Sequence, residues 1–138
     1  MKLINIVLFF TFITSNLFAN TNYFNEGFLL FEKNELNKAK FKFEQDLVFN
    51  PKSEKSYLYL SKIFNEQKKK ELEEKNLNTV ILLNPNNEEA IYNLARLKLT
   101  SSDYEKSNKL NKRLKLICKN LCSQSDKLKV EIDNLSKK

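Results

Sequence analysis

Apolar positions recur at helical spacing through most of this chain, and the pattern restarts at a fixed interval. Tyr23, Gly27 and Leu30 fall on one face of a first helix. Asn34-Glu35 makes a turn, after which Ala39, Phe43 and Leu47 recur every four residues until Pro51 stops a second helix. The layout then repeats. Tyr57, Leu60, Ser61 and Phe64 mark another first helix, and Leu77, Val80 and Ile81 another second helix, ended by Pro85. The pairs Asn50-Pro51 and Asn84-Pro85 stand 34 residues apart. A third copy begins at Glu88 with Ala90-Ile91-Tyr92-Asn93-Leu94-Ala95. Its turn, Thr100 to Tyr104, contains a helix N-cap, and its second helix is predicted over 104–117. That helix is degenerate: Ser107 and Asn111 replace the small and aromatic residues of the first copy, and no proline ends it. A last helix is predicted over 126–136, capped by Ser125, with Leu128, Ile132 and Leu135 as its apolar stripe.

A 34-residue period of helix–turn–helix units resembles the tetratricopeptide repeat family. The family pattern places a large residue, a small one and an aromatic or Leu in the first helix, then Ala, an aromatic and Pro in the second. Tyr23, Gly27, Leu30, Ala39, Phe43 and Pro51 fill those places in order. The small residues let two helices approach closely, and the rings fill the space beside them. The second unit departs from the pattern twice. Glu73 stands where the family has Ala, and Gln67-Lys68-Lys69-Lys70 replaces the usual Gly-Asp turn. A looser turn and a wetter helix interface are expected there.

The resemblance implies an all-α solenoid of three units, 20–53, 54–87 and 88–121, closed by a capping helix within 122–138. It further implies a noncatalytic adaptor or scaffold that presents a concave groove to a protein or peptide. Carried over from the family, the concave positions are Phe24, Phe28 and Phe31 in unit one, and Leu58, Lys62 and Asn65 in unit two. In unit three they are Tyr92, Arg96 and Leu99. Aromatics and two cations suit an extended acidic or C-terminal segment. The set does not reproduce the Lys/Asn clamp of chaperone-binding members, because Phe24 and Phe28 occupy the clamp's first places. The alternative for the aromatics is packing against the chain's own N-terminus or a second copy. The matching alternative function is a structural subunit that self-associates or docks on an envelope assembly machine.

Composition narrows the remaining choices. Among 138 residues there is one glycine, two prolines and no histidine. Few breakers fit an all-helical chain. Without histidine the commonest general base and metal ligand is missing. The carboxylates Glu71, Glu73 and Glu74 lie in a Lys-rich run that reads as a solvated face. No catalytic residue, metal or cofactor is expected.

The first nineteen residues differ from the rest. Lys2, the apolar run Ile4–Ile13 and a small residue at Ala19 have the layout of a secretory signal cut after Ala19. An uncleaved membrane anchor is the alternative. The expected location is therefore outside the cytoplasm, in a bacterial periplasm. Cleavage removes Lys2 from 24 basic residues and nothing from 17 acidic ones, so the net charge falls from +7 to +6. In an exported protein that excess points to an acidic partner or an anionic envelope surface and away from nucleic acid. Cys118 and Cys122, the two cysteines of the chain, are then read first as a structural disulfide. Free thiols and redox or metal chemistry are the alternatives.

Overall fold

The computed structural model describes residues 22–137, so the expected signal over 1–19 lies outside the described residues. The helices in chain order are α1 Tyr23–Glu32, α2 Leu36–Phe49, α3 Glu54–Glu66, α4 Lys70–Leu83, α5 Glu88–Thr100, α6 Tyr104–Ile117 and α7 Cys122–Leu135. They pack as the pairs α1/α2, α3/α4 and α5/α6. Successive pairs stack through α2/α3 and α4/α5, and α7 closes the stack on α6. The architecture is an all-α solenoid.

Each boundary has a local cause. Asn50 and Asn84 are the C-caps of α2 and α4, with proline directly after each. The side chains of Ser53 and Asn87 then accept hydrogen bonds from the Ser56 and Ala90 N–H groups and start α3 and α5. Asp103 starts α6 by accepting from the Lys106 N–H at 3.1 Å. Asn34, Lys68 and Ser102, 34 residues apart, all turn left-handed, with φ of 58°, 56° and 60°. In each turn two N–H groups reach back to the first helix. Lys68 and Lys69, for example, donate to the Asn65 and Phe64 carbonyls at 2.9 Å each. The looser turn expected at Gln67–Lys70 is thus corrected: it has the geometry of the other two. Backbone hydrogen bonds define this turn, and lysine is held in a conformation that costs roughly 1–2 kcal/mol for a residue with a Cβ. Lys68→Gly is expected to raise stability by about 1 kcal/mol, read as a higher urea midpoint at unchanged m.

The core runs through the stack in three apolar groups. Ala39, Phe43, Leu60, Ile63 and Phe64 join the first pair to α3. Leu58, Leu77, Val80, Ala90, Leu94 and Leu97 join the second pair to α5. Ala95, Leu99, Leu128 and Ile132 seat α7 on α5. Gly27 is required by close approach, since a Cβ there would lie 2.8 Å from the buried Phe43 ring.

Polar groups complete the stacking. Asp46 of α2 is buried and accepts from the Ser56 hydroxyl at 2.5 Å and the Asn50 amide at 2.9 Å. Burial alone would raise its pKa, but hydrogen bonds from Ser53, Ser56 and Asn50 hold it below the usual value.

At the other end, Ser107 donates to the Ala95 carbonyl at 2.8 Å. The Asn111 amide donates to the Ser125 carbonyl at 2.9 Å, and the Ser125 hydroxyl donates to Asn111 Oδ1 at 2.8 Å. The apparent degeneracy of α6 is therefore a polar dock for α7. The closing helix starts a turn earlier than predicted, at Cys122, which places Ser125 inside it, buried, and not at its cap. The Cys118 and Cys122 sulfurs stand at disulfide distance, 2.03 Å, with Cα atoms 5.3 Å apart. Glu88 clamps the same corner: its carboxylate accepts the Lys119, Asn120 and Leu121 N–H groups at 2.9, 3.0 and 2.9 Å. Those bonds, Leu121's foremost, lower its pKa.

Candidate functional site

The first helices α1, α3 and α5 and the start of α4 surround a hollow of about 400 Å³. Phe31 forms one wall and Arg96 and Thr100 the opposite one, with Lys62, Asn65, Glu66, Glu89 and Asn93 between them. Ser61, Leu97 and Glu73 lie at its base. Of the residues placed on the concave face from sequence, the structure brings Phe31, Lys62, Asn65 and Arg96 together here.

The others lie elsewhere. Phe24 and Phe28 pack inward on Tyr59 of α3, with ring centroids 5.8 and 5.5 Å away. Tyr59 also meets Phe31 at 5.1 Å and Phe43 at 5.3 Å. It is thus the hub of an aromatic cluster that ties α1 to α3, and aromatic edges and faces make such pairs worth about 0.5–1.5 kcal/mol beyond their burial. Leu58 and Leu99, only 8% and 4% exposed, belong to the core and not to an open groove. The reason is the stacking angle between units: α4 and α5 close over Leu58, and α7 closes over Leu99. Tyr92 is half-buried against the closing helix and lines a separate shallow hollow with Asn120, Leu121 and Gln124.

Both groove cations already have partners. Lys62 Nζ lies 2.7 Å from Glu89 and 4.6 Å from the Tyr59 ring centroid. Arg96 lies over Tyr92 and is 3.7 Å from Glu131 of α7. These ion pairs are partly exposed, and such pairs contribute only about 0–1 kcal/mol. A ligand carboxylate can therefore replace either acid at small cost. Asn65 is spent differently, donating to Glu73 Oε1 at 3.0 Å.

Glu73 is the departure with most consequence. The solvated face expected for Glu71, Glu73 and Glu74 holds only for Glu71, which is exposed. Glu73 is 4% exposed and lies at the base of the hollow. Burial raises its pKa, offset in part by the Asn65 hydrogen bond and Lys70. Glu74 pairs with Lys98 at 2.5 Å and Lys106 at 3.6 Å, and the Lys98 hydrogen bond foremost lowers its pKa. Glu66, Glu89 and Asn93 were missed by the sequence reading because the family positions alone do not report which flanking residues the solenoid twist turns inward. No group of three or more His, Cys, Asp or Glu side chains that could hold a metal occurs among the described residues.

No family model matches this sequence, and no curated protein matches it at a significant level. Solved structures do. The TPR2B domain of yeast Sti1, solved as a complex with pHsp70, superposes with a TM-score of 0.77 at 13% identity, over 83% of this chain and 95% of that one. The Yersinia enterocolitica type III secretion chaperone SycD, solved with a peptide of the translocator YopD, superposes at 0.76 and 10% identity, over 87% and 95%. The first tetratricopeptide repeat domain of Spaghetti (RPAP3), bound to the HSP90 peptide SRMEEVD, superposes at 0.73 and 15% identity, over 83% and 90%. Three stacked pairs, repeated left-handed turns and these superpositions agree: the chain has the tetratricopeptide repeat fold.

Proposed function

We propose that the chain is a noncatalytic adaptor whose concave hollow holds an extended segment of a protein partner, acidic or ending in a free carboxylate. The observation that carries this reading is the convergence of Phe31, Lys62 and Arg96 on one open hollow of about 400 Å³. An aromatic wall accepts a side chain, and the two cations, held only by exchangeable pairs, accept carboxylates. The fold neighbours support it, since three were solved with a peptide or protein partner. The signal layout of residues 1–19 and the paired cysteines support a site of action in a bacterial envelope, outside the cytoplasm.

Selection from a library of displayed C-terminal peptides tests the reading. Segments rich in Asp and Glu are expected, with affinity falling as salt rises. Glu89→Gln, which frees Lys62, is expected to tighten a selected peptide a few-fold, the scale of one exposed ion pair. Selection of basic segments, or of none, would overturn the proposal.

A further inference from the structure

A second surface lies outside the hollow. Val48, Leu82 and Leu116 stand 34 residues apart, at the same position near the end of α2, α4 and α6. All three are exposed, at 76%, 81% and 88%. Equivalent positions of stacked repeats fall on one side of the solenoid, so they form an aliphatic line along it. Phe41 and Phe49, also exposed, widen the line on α2. Phe49 also stacks on Tyr23 at 5.5 Å, while Val48, Leu82 and Leu116 stay largely open to solvent.

The charged residues around the line are mostly basic. In the last ten residues of α2, α4 and α6, the exposed charged side chains are Lys75, Lys109, Lys112, Lys115 and Glu44. Glu44 is held by Lys40 at 2.7 Å and Lys115 pairs with Asp126 of α7 at 2.6 Å, which leaves Lys75, Lys109 and Lys112 for a partner. Separate apolar tips among long cations do not fit a shaped protein partner. They fit a planar, deformable, negatively charged one. Apolar tips enter the headgroup layer while lysine stems lie along it and their charges meet anionic lipid. We infer that the α2/α4/α6 face docks peripherally on an anionic membrane surface, leaving the hollow free for its partner.

The chain has no tryptophan, so Leu82→Trp in the full chain reports on this face alone. With vesicles of phosphatidylcholine and phosphatidylglycerol in equal parts, its emission is expected to shift to the blue. Brominated lipid should quench it. Pure phosphatidylcholine vesicles should do neither, and high salt should reverse both. A tryptophan placed instead at exposed Asn134 on α7 should not respond. Lys75→Glu with Lys109→Glu and Lys112→Glu, added to the Leu82→Trp chain, should abolish its response while helicity is kept. An unresponsive probe, or a response that survives the lysine reversals, would overturn the inference. So would a concentration-dependent shift without vesicles, which would assign the face to a second copy. The same shift with soluble polyglutamate would assign it to an acidic protein and overturn it equally.

Discussion

Ala39→Glu is expected to abolish the cooperative thermal transition, whereas Glu73→Ala should leave it unchanged or raise it. The two residues occupy the same place in successive units, 34 apart. Ala39 has no exposed surface and lies in the Phe43, Leu60, Ile63 and Phe64 group. A carboxylate there is buried with no donor and no room, and an uncompensated buried charge costs several kcal/mol, comparable with the roughly 5–15 kcal/mol that holds a domain folded. Glu73 survives because Asn65 donates to it and the hollow lies beside it. Circular dichroism melts of both variants decide the matter, and equal small effects would refute the register of the repeats.

The Glu73 cost should also depend on pH. Its pKa is raised in the folded chain, so the native state holds the proton more tightly than the unfolded one. The penalty for its charged form is full above the raised pKa and vanishes below the ordinary carboxylate value of about 4.3. Glu73→Gln should therefore melt above the parent at neutral pH. That advantage should close as the pH falls into the ordinary carboxylate range. A constant difference across that range would show that Glu73 is not charged and buried at neutral pH.

The second large effect is on binding. Phe31→Ala with Arg96→Ala is expected to weaken a selected acidic peptide by about 100-fold or more, since truncating a central aromatic or Arg anchor commonly costs about 2 kcal/mol each. Arg96 is exposed on the wall of the hollow, and half-buried Phe31 is one of several rings on Tyr59, so its loss should lower the melting temperature somewhat while the helical signal is kept. The pairing of Phe28 with Arg96 that the family positions suggest is the poorer test. Phe28 packs on Tyr59 but does not line the hollow, so its loss would disturb the aromatic cluster without touching the site. Titration calorimetry on the folded double variant checks the prediction; unchanged affinity would remove the hollow as the site.

Much of the fold was legible in the residues themselves. Helix periodicity and the asparagine–proline stops are local signals, each set by neighbours within a turn or two, while the pairing of Gly27 in α1 with Phe43 in α2 was legible through the repeat pattern. They were enough to read three helix pairs and a closing helix. The Cys118–Cys122 pair was legible for the same reason, because four residues separate its members.

What the sequence could not decide depends on how one unit is rotated on the next. That rotation buries Leu58 and Leu99 and turns Glu66, Glu89 and Asn93 toward the hollow. It makes Asn111 and Ser125 partners across α6 and α7, where the pattern alone showed a missing aromatic. Within a helix, spacing along the chain dictates which side chains meet. Between stacked units no such rule holds, because partners about 30 residues apart meet only through the packing of whole helix faces. Residue types therefore determined the repeat, while its superhelical packing selected the groove.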